Sequence, residues 1–71
     1  MTTTQHRILS AIDAGATSAS EVAAAVWPGR LDVRAAALRM VSTLDRLERR
    51  GWLSDENGVW TVTDEGREAM G

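Results

Sequence analysis

A mainly α-helical chain with one small β-hairpin is the fold class this sequence predicts, and three observations carry the prediction. Apolar residues recur at spacings of three and four through three capped segments in residues 1–50. An Asn57-Gly58 pair stands between two short runs of strand-forming residues, and a threonine followed by two acidic residues opens a last helical segment. The predicted order is helix, helix, helix, hairpin, helix.

Thr4 is the expected N-cap of a first helix over about residues 5–14, with Ile8, Leu9 and Ile12 on one face and Gly15 as a left-handed stop. Ser18-Ala19-Ser20-Glu21 fits a capping box, in which the serine and the glutamate three residues on satisfy free backbone donors. A helix over 19–27 follows, carrying Val22, Ala23, Val26 and Trp27, and Pro28-Gly29 ends it because proline lacks the backbone donor. Asp32 caps the third and longest helix, 33–50, whose expected buried stripe is Val33, Ala37, Met40, Val41, Leu44 and Leu47, closed by Gly51. Strands over 52–54 and 59–62 flank Asp55-Glu56-Asn57-Gly58, where Asn-Gly marks a tight turn. Thr63, followed by Asp64 and Glu65 at the positive end of the helix dipole, caps a short helix over 64–70.

With 71 residues and neither a repeat nor a linker, the chain reads as one unit, 1–71. A chain of this size buries only about 60% of the surface its unfolded form exposes. It has no cysteine, so neither a disulfide framework nor a thiolate metal site is available and helix packing must hold it together. The longest apolar run, Val22 to Trp27, falls far short of the roughly 20 residues a membrane span needs, so a soluble protein is expected. Met1-Thr2-Thr3-Thr4-Gln5 carries neither a basic region nor an apolar signal core, and a cytoplasmic location is the resulting expectation.

The formal charge of −2 is unevenly spread: residues 1–29 carry −1, residues 30–50 carry +3 and residues 51–71 carry −4. Net charge alone argues mildly against nucleic acid, because phosphate neutralisation supplies most non-specific affinity. Residues 30–50, the third helix and the residues just before it, nevertheless concentrate the positive charge, in Arg30, Arg34, Arg39, Arg46, Arg49 and Arg50. All eight basic residues are arginine, which suits forked contacts to phosphate or guanine; arginine-favouring codons in a GC-rich genome explain the same usage.

Three helices followed by a two-stranded ribbon resemble the winged helix-turn-helix superfamily, and two segments carry the resemblance residue by residue. Leu44-Asp45-Arg46-Leu47-Glu48-Arg49-Arg50-Gly51-Trp52-Leu53 looks like the end of that family's recognition helix running into its first strand. Trp60-Thr61-Val62-Thr63-Asp64-Glu65-Gly66-Arg67-Glu68 is similar to its second strand and the start of its last helix. The match is closest to small bacterial or phage regulators of the MarR and PadR kind. It implies a three-helix core, a two-stranded wing, a short C-terminal helix and a regulator that binds double-stranded DNA; a homodimer is expected because one small module makes few contacts and a two-fold partner doubles the half-sites read.

Helical periodicity centred on Leu44 places Ala35, Leu38, Arg39, Ser42, Arg46 and Arg49 on the outward arc of the third helix, with Arg34 at its margin. In a helix-turn-helix the N-terminal part of this arc enters the major groove. Arg34 and Arg39 are then the candidates for guanine edges, beside Ala35 and Leu38, while Ser42 and Arg46 face phosphate. Arg30, Ser18 and Ser20 are further candidate backbone contacts. The plain alternative is a solvated helix face with local pairs such as Asp45 and Arg49 at i,i+4.

The wing offers Asp55 and Glu56 where the resembled family often has basic residues that reach the minor groove, so little or no wing contact to DNA is expected. Trp27 and Trp60 are expected as core fillers, with Trp52 left open. Leu31 and Leu38 fall outside the main buried arc and mark either an interface or packing on the second helix. His6, Ser10 and Asp13 share a helix at spacings that imitate a catalytic trio but come with no pocket or oxyanion site, and no residues have metal-ligand spacing. No enzyme activity, cofactor or metal is expected. The competing function is a winged-helix protein-interaction or dimerisation module that does not bind DNA, supported by the acidic wing and acidic C-terminal third.

Overall fold

The first helix begins two residues earlier than its sequence suggests, and the reason is chemical. In the computed structural model, which describes residues 1–29 and 32–71, α1 spans Thr3–Asp13 with Thr2 as its N-cap. The Thr2 hydroxyl accepts from the Gln5 backbone N–H at 3.1 Å, and the Gln5 side-chain oxygen accepts from the Thr2 N–H at 2.9 Å. Thr4, the expected cap, has Arg7 three residues on, and a guanidinium has no acceptor with which to complete that box.

The remaining elements are α2 Ala19–Val26, α3 Val33–Arg49, β1 Leu53–Glu56, β2 Val59–Val62 and α4 Asp64–Met70. The described residues thus form a mainly helical fold with four helices and one antiparallel hairpin. None of these helices is long and apolar enough to cross a membrane. Three of the predicted caps form: the side chains of Ser18, Asp32 and Thr63 accept from the N–H groups of Glu21, Ala35 and Gly66 at 3.2, 3.0 and 3.0 Å. The Glu21 carboxylate accepts from the Thr17 and Ser18 hydroxyls and not from the Ser18 N–H, so the expected capping box is only half made. Helix α2 stops one residue short of expectation, with Trp27 as its C-cap.

The core collects Ile8, Leu9 and Ile12 of α1, Val22, Ala23 and Val26 of α2, Ala36, Met40, Leu44 and Leu47 of α3, and Leu53 and Val62 of the hairpin. Among the described residues no polar or charged side chain is buried. Helix α2 packs along α3, β1 lies beside α3, and β2 and α4 lie beside α1. The expected stripe of α3 needs correcting: Ala36 is buried and Ala37 only half-buried, while Val33 and Val41 are 61% and 49% exposed. The true stripe is centred near Met40, roughly 40° round the helix from Leu44, and that rotation carries Val41 out of the core. Val33 is in phase with Met40 but stands in the first turn, over an open depression.

The hairpin is longer and tighter than predicted. Asn57 (φ 55°) and Gly58 (φ 80°) form a two-residue turn with both residues left-handed, the type I′ geometry that matches strand twist. Asp55 and Glu56 therefore belong to β1 and pair with Trp60 and Val59, so the first strand is 53–56 and not 52–54. The Asp55 carboxylate accepts from the Gly58 N–H at 3.1 Å. Trp27, Trp52 and Trp60 are half-buried and pack against the margin of the core, so Trp27 and Trp60 edge it rather than fill it.

At the root of the hairpin the chain is tied several times within a few residues. Gly51 (φ 87°) ends α3 in a Schellman motif: its N–H bonds to the Glu48 carbonyl and that of Trp52 to Leu47. The Thr63 hydroxyl donates to the Gly51 carbonyl while it caps α4, and the Thr63 N–H donates to the Trp52 carbonyl at 3.0 Å. Gly66 is buried, and a Cβ there would collide with the Trp52 carbonyl and press on Val62 at 2.9 Å.

Two stability measurements check this account. Gly66→Ala is expected to destabilise the chain by ~1–3 kcal/mol in urea unfolding, as overpacking against backbone does. Met40→Ala is expected to cost ~2–5 kcal/mol, and Val41→Ala to stay within about 0.5 kcal/mol. Equal losses for Met40 and Val41 would contradict the phase of α3.

Candidate functional site

The exposed face of α3 follows from the buried one. Taking about 100° per residue, the direction opposite the Ala36, Met40, Leu44 and Leu47 stripe is occupied by Leu38, Ser42, Asp45 and Arg49. Arg34 and Val41 lie on one flank of that crest; Ala35, Arg39 and Arg46 lie on the other. All of these side chains are exposed, Leu38 at 65%. The outward arc expected from the sequence is therefore outward in the structure, and Leu38 is not covered by α2.

Electrostatically this face is open. The Arg49 guanidinium sits 3.3 Å from the Asp45 carboxylate, the expected i,i+4 pair, with both side chains well exposed. Among the described residues, no ion pair engages Arg34, Arg39 or Arg46. Their guanidinium groups are thus not tied into the fold by ion pairs among the described residues. Arg50 instead lies over the half-buried Trp52 ring, 5.0 Å from its centroid, a cation–π arrangement absent from the sequence reading. Its signal was the Arg50-Gly51-Trp52 spacing across a helix stop, which has no standard periodicity to reveal it.

Ser18 and Ser20, read from sequence as separate phosphate ligands, come together with part of α3. They and Ala19 line one side of a depression of about 560 Å³ whose other side is Val33, Arg34, Ala37, Leu38 and Val41. An adjoining smaller one, about 110 Å³, runs along the seam past Ala23, Ala24, Trp27 and Pro28, and shares Ser20 and Val33. The depression joins four of the candidate residues, Ser18, Ser20, Arg34 and Leu38, and adds Val33 and Val41, which the sequence had assigned to the core. Arg39, Ser42, Arg46 and Ala35 lie outside it, round the crest. Arg30 and Leu31 lie outside the described residues.

The other constellations do not assemble. The Ser10 hydroxyl is 3.4 Å from His6 Nδ1 on the surface of α1, but Asp13 pairs at 3.5 Å with Arg67 of α4. Among the described residues no three His, Cys, Asp or Glu side chains group as metal ligands would. Comparison of the chain with protein-family models, with curated proteins and with solved structures finds no match.

The geometry makes Asp45 and Arg49 a surface pair of small energetic weight. Asp45→Ala is expected to change unfolding free energy by less than about 1 kcal/mol, which chemical denaturation measures directly. A larger loss would mean that the crest of α3 is tied into the fold.

Proposed function

We propose that this chain is a sequence-specific DNA-binding regulator of the winged helix-turn-helix kind, with α3 entering the major groove and the β1–β2 hairpin as the wing. The observation that carries the reading is the exposed face of α3, where Arg34, Arg39 and Arg46 stand free of ion pairs among the described residues. Guanidinium groups held this way suit bidentate contacts to guanine or to phosphate. The N-terminal half of the helix, with Arg34, Ala35, Leu38 and Arg39, supplies the base-facing residues, and Ser42, Arg46, Ser18 and Ser20 supply contacts that position the duplex. A module this small makes few contacts, so two copies on a two-fold site complete the reading. Asp55 and Glu56 keep the hairpin tip off the phosphates.

A second reading has one specific observation in its favour. Val33, Leu38 and Val41 expose apolar surface on the same side of the molecule, as a protein-docking face does. In that reading the chain is an interaction or dimerisation module, and its acidic C-terminal third faces a basic partner.

A salt series on duplex binding separates the two. DNA binding through arginine releases counterions, so affinity falls steeply as salt rises; binding that is immeasurable at about 50 mM salt, or insensitive to salt, defeats the DNA reading. Within a binding-competent protein, Arg39→Ala is expected to cost ~1–3 kcal/mol and relax specificity. Arg46→Ala should weaken all sequences alike and reduce the salt slope by about 1. Arg67→Ala, on α4, should leave binding unchanged; equal effects of Arg39→Ala and Arg67→Ala would displace the interface from α3.

A further inference from the structure

The base-facing half of α3 has an uncommon composition for a polar reader. Its crest there is a leucine, 65% exposed, with arginines only on the flanks, and Val41 lies one turn beyond on the Arg34 side. Leu38 brings no donor or acceptor to a base edge. Pressed against an edge that offers only polar groups, it would strip water from them and replace nothing, which costs free energy. One base in unmodified DNA presents a methyl group in the major groove: thymine, at its C5 carbon.

We infer that Leu38, supported by Val41, reads thymine methyl groups, and that the chain's preferred duplex carries thymine close to a guanine held by Arg34 or Arg39. The inference rests on the DNA reading above and adds the base identity to it. The distances agree. Arg34 and Leu38 are one turn apart, about 6 Å along the helix axis, and base pairs repeat every ~3.4 Å, so a methyl under Leu38 lies about two base steps from a guanine held by Arg34 and within about one step of a guanine held by the adjacent Arg39. Arg46, further along the Arg39 flank, supplies attraction to phosphate that holds an apolar crest in a polar groove. Neither Leu38 nor Val41 belongs to the core, so both are free to be covered.

The experiment removes one methyl at a time. The preferred duplex is first selected from a randomised pool with the native chain. Each thymine in it is then replaced by uracil, which keeps the base pair and loses only the C5-methyl. At one or more positions near the selected guanine, affinity is expected to fall about fourfold, the value of one buried methyl group. In Leu38→Ala the same replacement is expected to have no effect. Circular dichroism confirms that this surface variant is folded.

A selected duplex whose affinity ignores every uracil replacement, or a uracil loss of the same size in Leu38→Ala, overturns the inference and leaves the DNA reading standing. A chain that selects no duplex at about 50 mM salt overturns both. In that case a shift in sedimentation between the native chain and Leu38→Ala assigns the crest to protein docking.

Discussion

The structure depends on one crowded junction, where the end of α3, both ends of the hairpin and the start of α4 meet. Thr63 spans it, with its hydroxyl between the Gly51 carbonyl and the Gly66 N–H and its own N–H on the Trp52 carbonyl. Gly66 lets α4 approach that carbonyl because it has no side chain to hold it off. Leu53 and Val62, paired across the hairpin beside this junction, are the two strand residues that complete the core. A slip of one residue in register would turn both outward, so the junction also fixes which face of the hairpin is apolar. Through the Schellman bonds to Glu48 and Leu47, it fixes how far α3 runs before it must stop.

Most features that depend on a few neighbouring residues were legible in the sequence; the N-cap of α1, read at Thr4 and found at Thr2, is the exception. The caps at Ser18, Asp32 and Thr63, the stop at Gly51 and the Asn57-Gly58 turn are all settled within about five residues, and each is where local chemistry put it. The phase of α3 was not legible to the same degree. Periodicity admits Val33, Val41 and Ala37 to the stripe as readily as Ala36, and the choice is made by where α2 and β1 lie, which is tertiary information. The candidate face divides the same way. The exposure of Arg34, Ala35, Leu38, Arg39, Ser42 and Arg46 followed from the helix pattern. The depression that joins Ser18 and Ser20 to Arg34 and Leu38 needed the packing of α2 on α3.

The partition of residue types is consistent with how little core a chain of 71 residues can build. The buried side chains among the described residues are all apolar, so no part of this margin is spent on desolvating a polar group. Polar groups act instead at the ends of elements, as caps and turn partners, where each satisfies backbone donors that the helices leave free. Charge is left for the surface. There it is sorted along the chain, positive over α3 and negative over the hairpin and α4.

The apolar side chains left on α3 have a thermal consequence. In the free protein Val33, Leu38 and Val41 are hydrated, and water around apolar groups contributes a large heat capacity. Whatever covers this face releases that water, so association there lowers the heat capacity of the system. The apolar part of the attraction weakens on cooling, while charge attraction at the flanking arginines answers chiefly to salt. Temperature and ionic strength are thus separate controls on the two kinds of surface that α3 presents side by side.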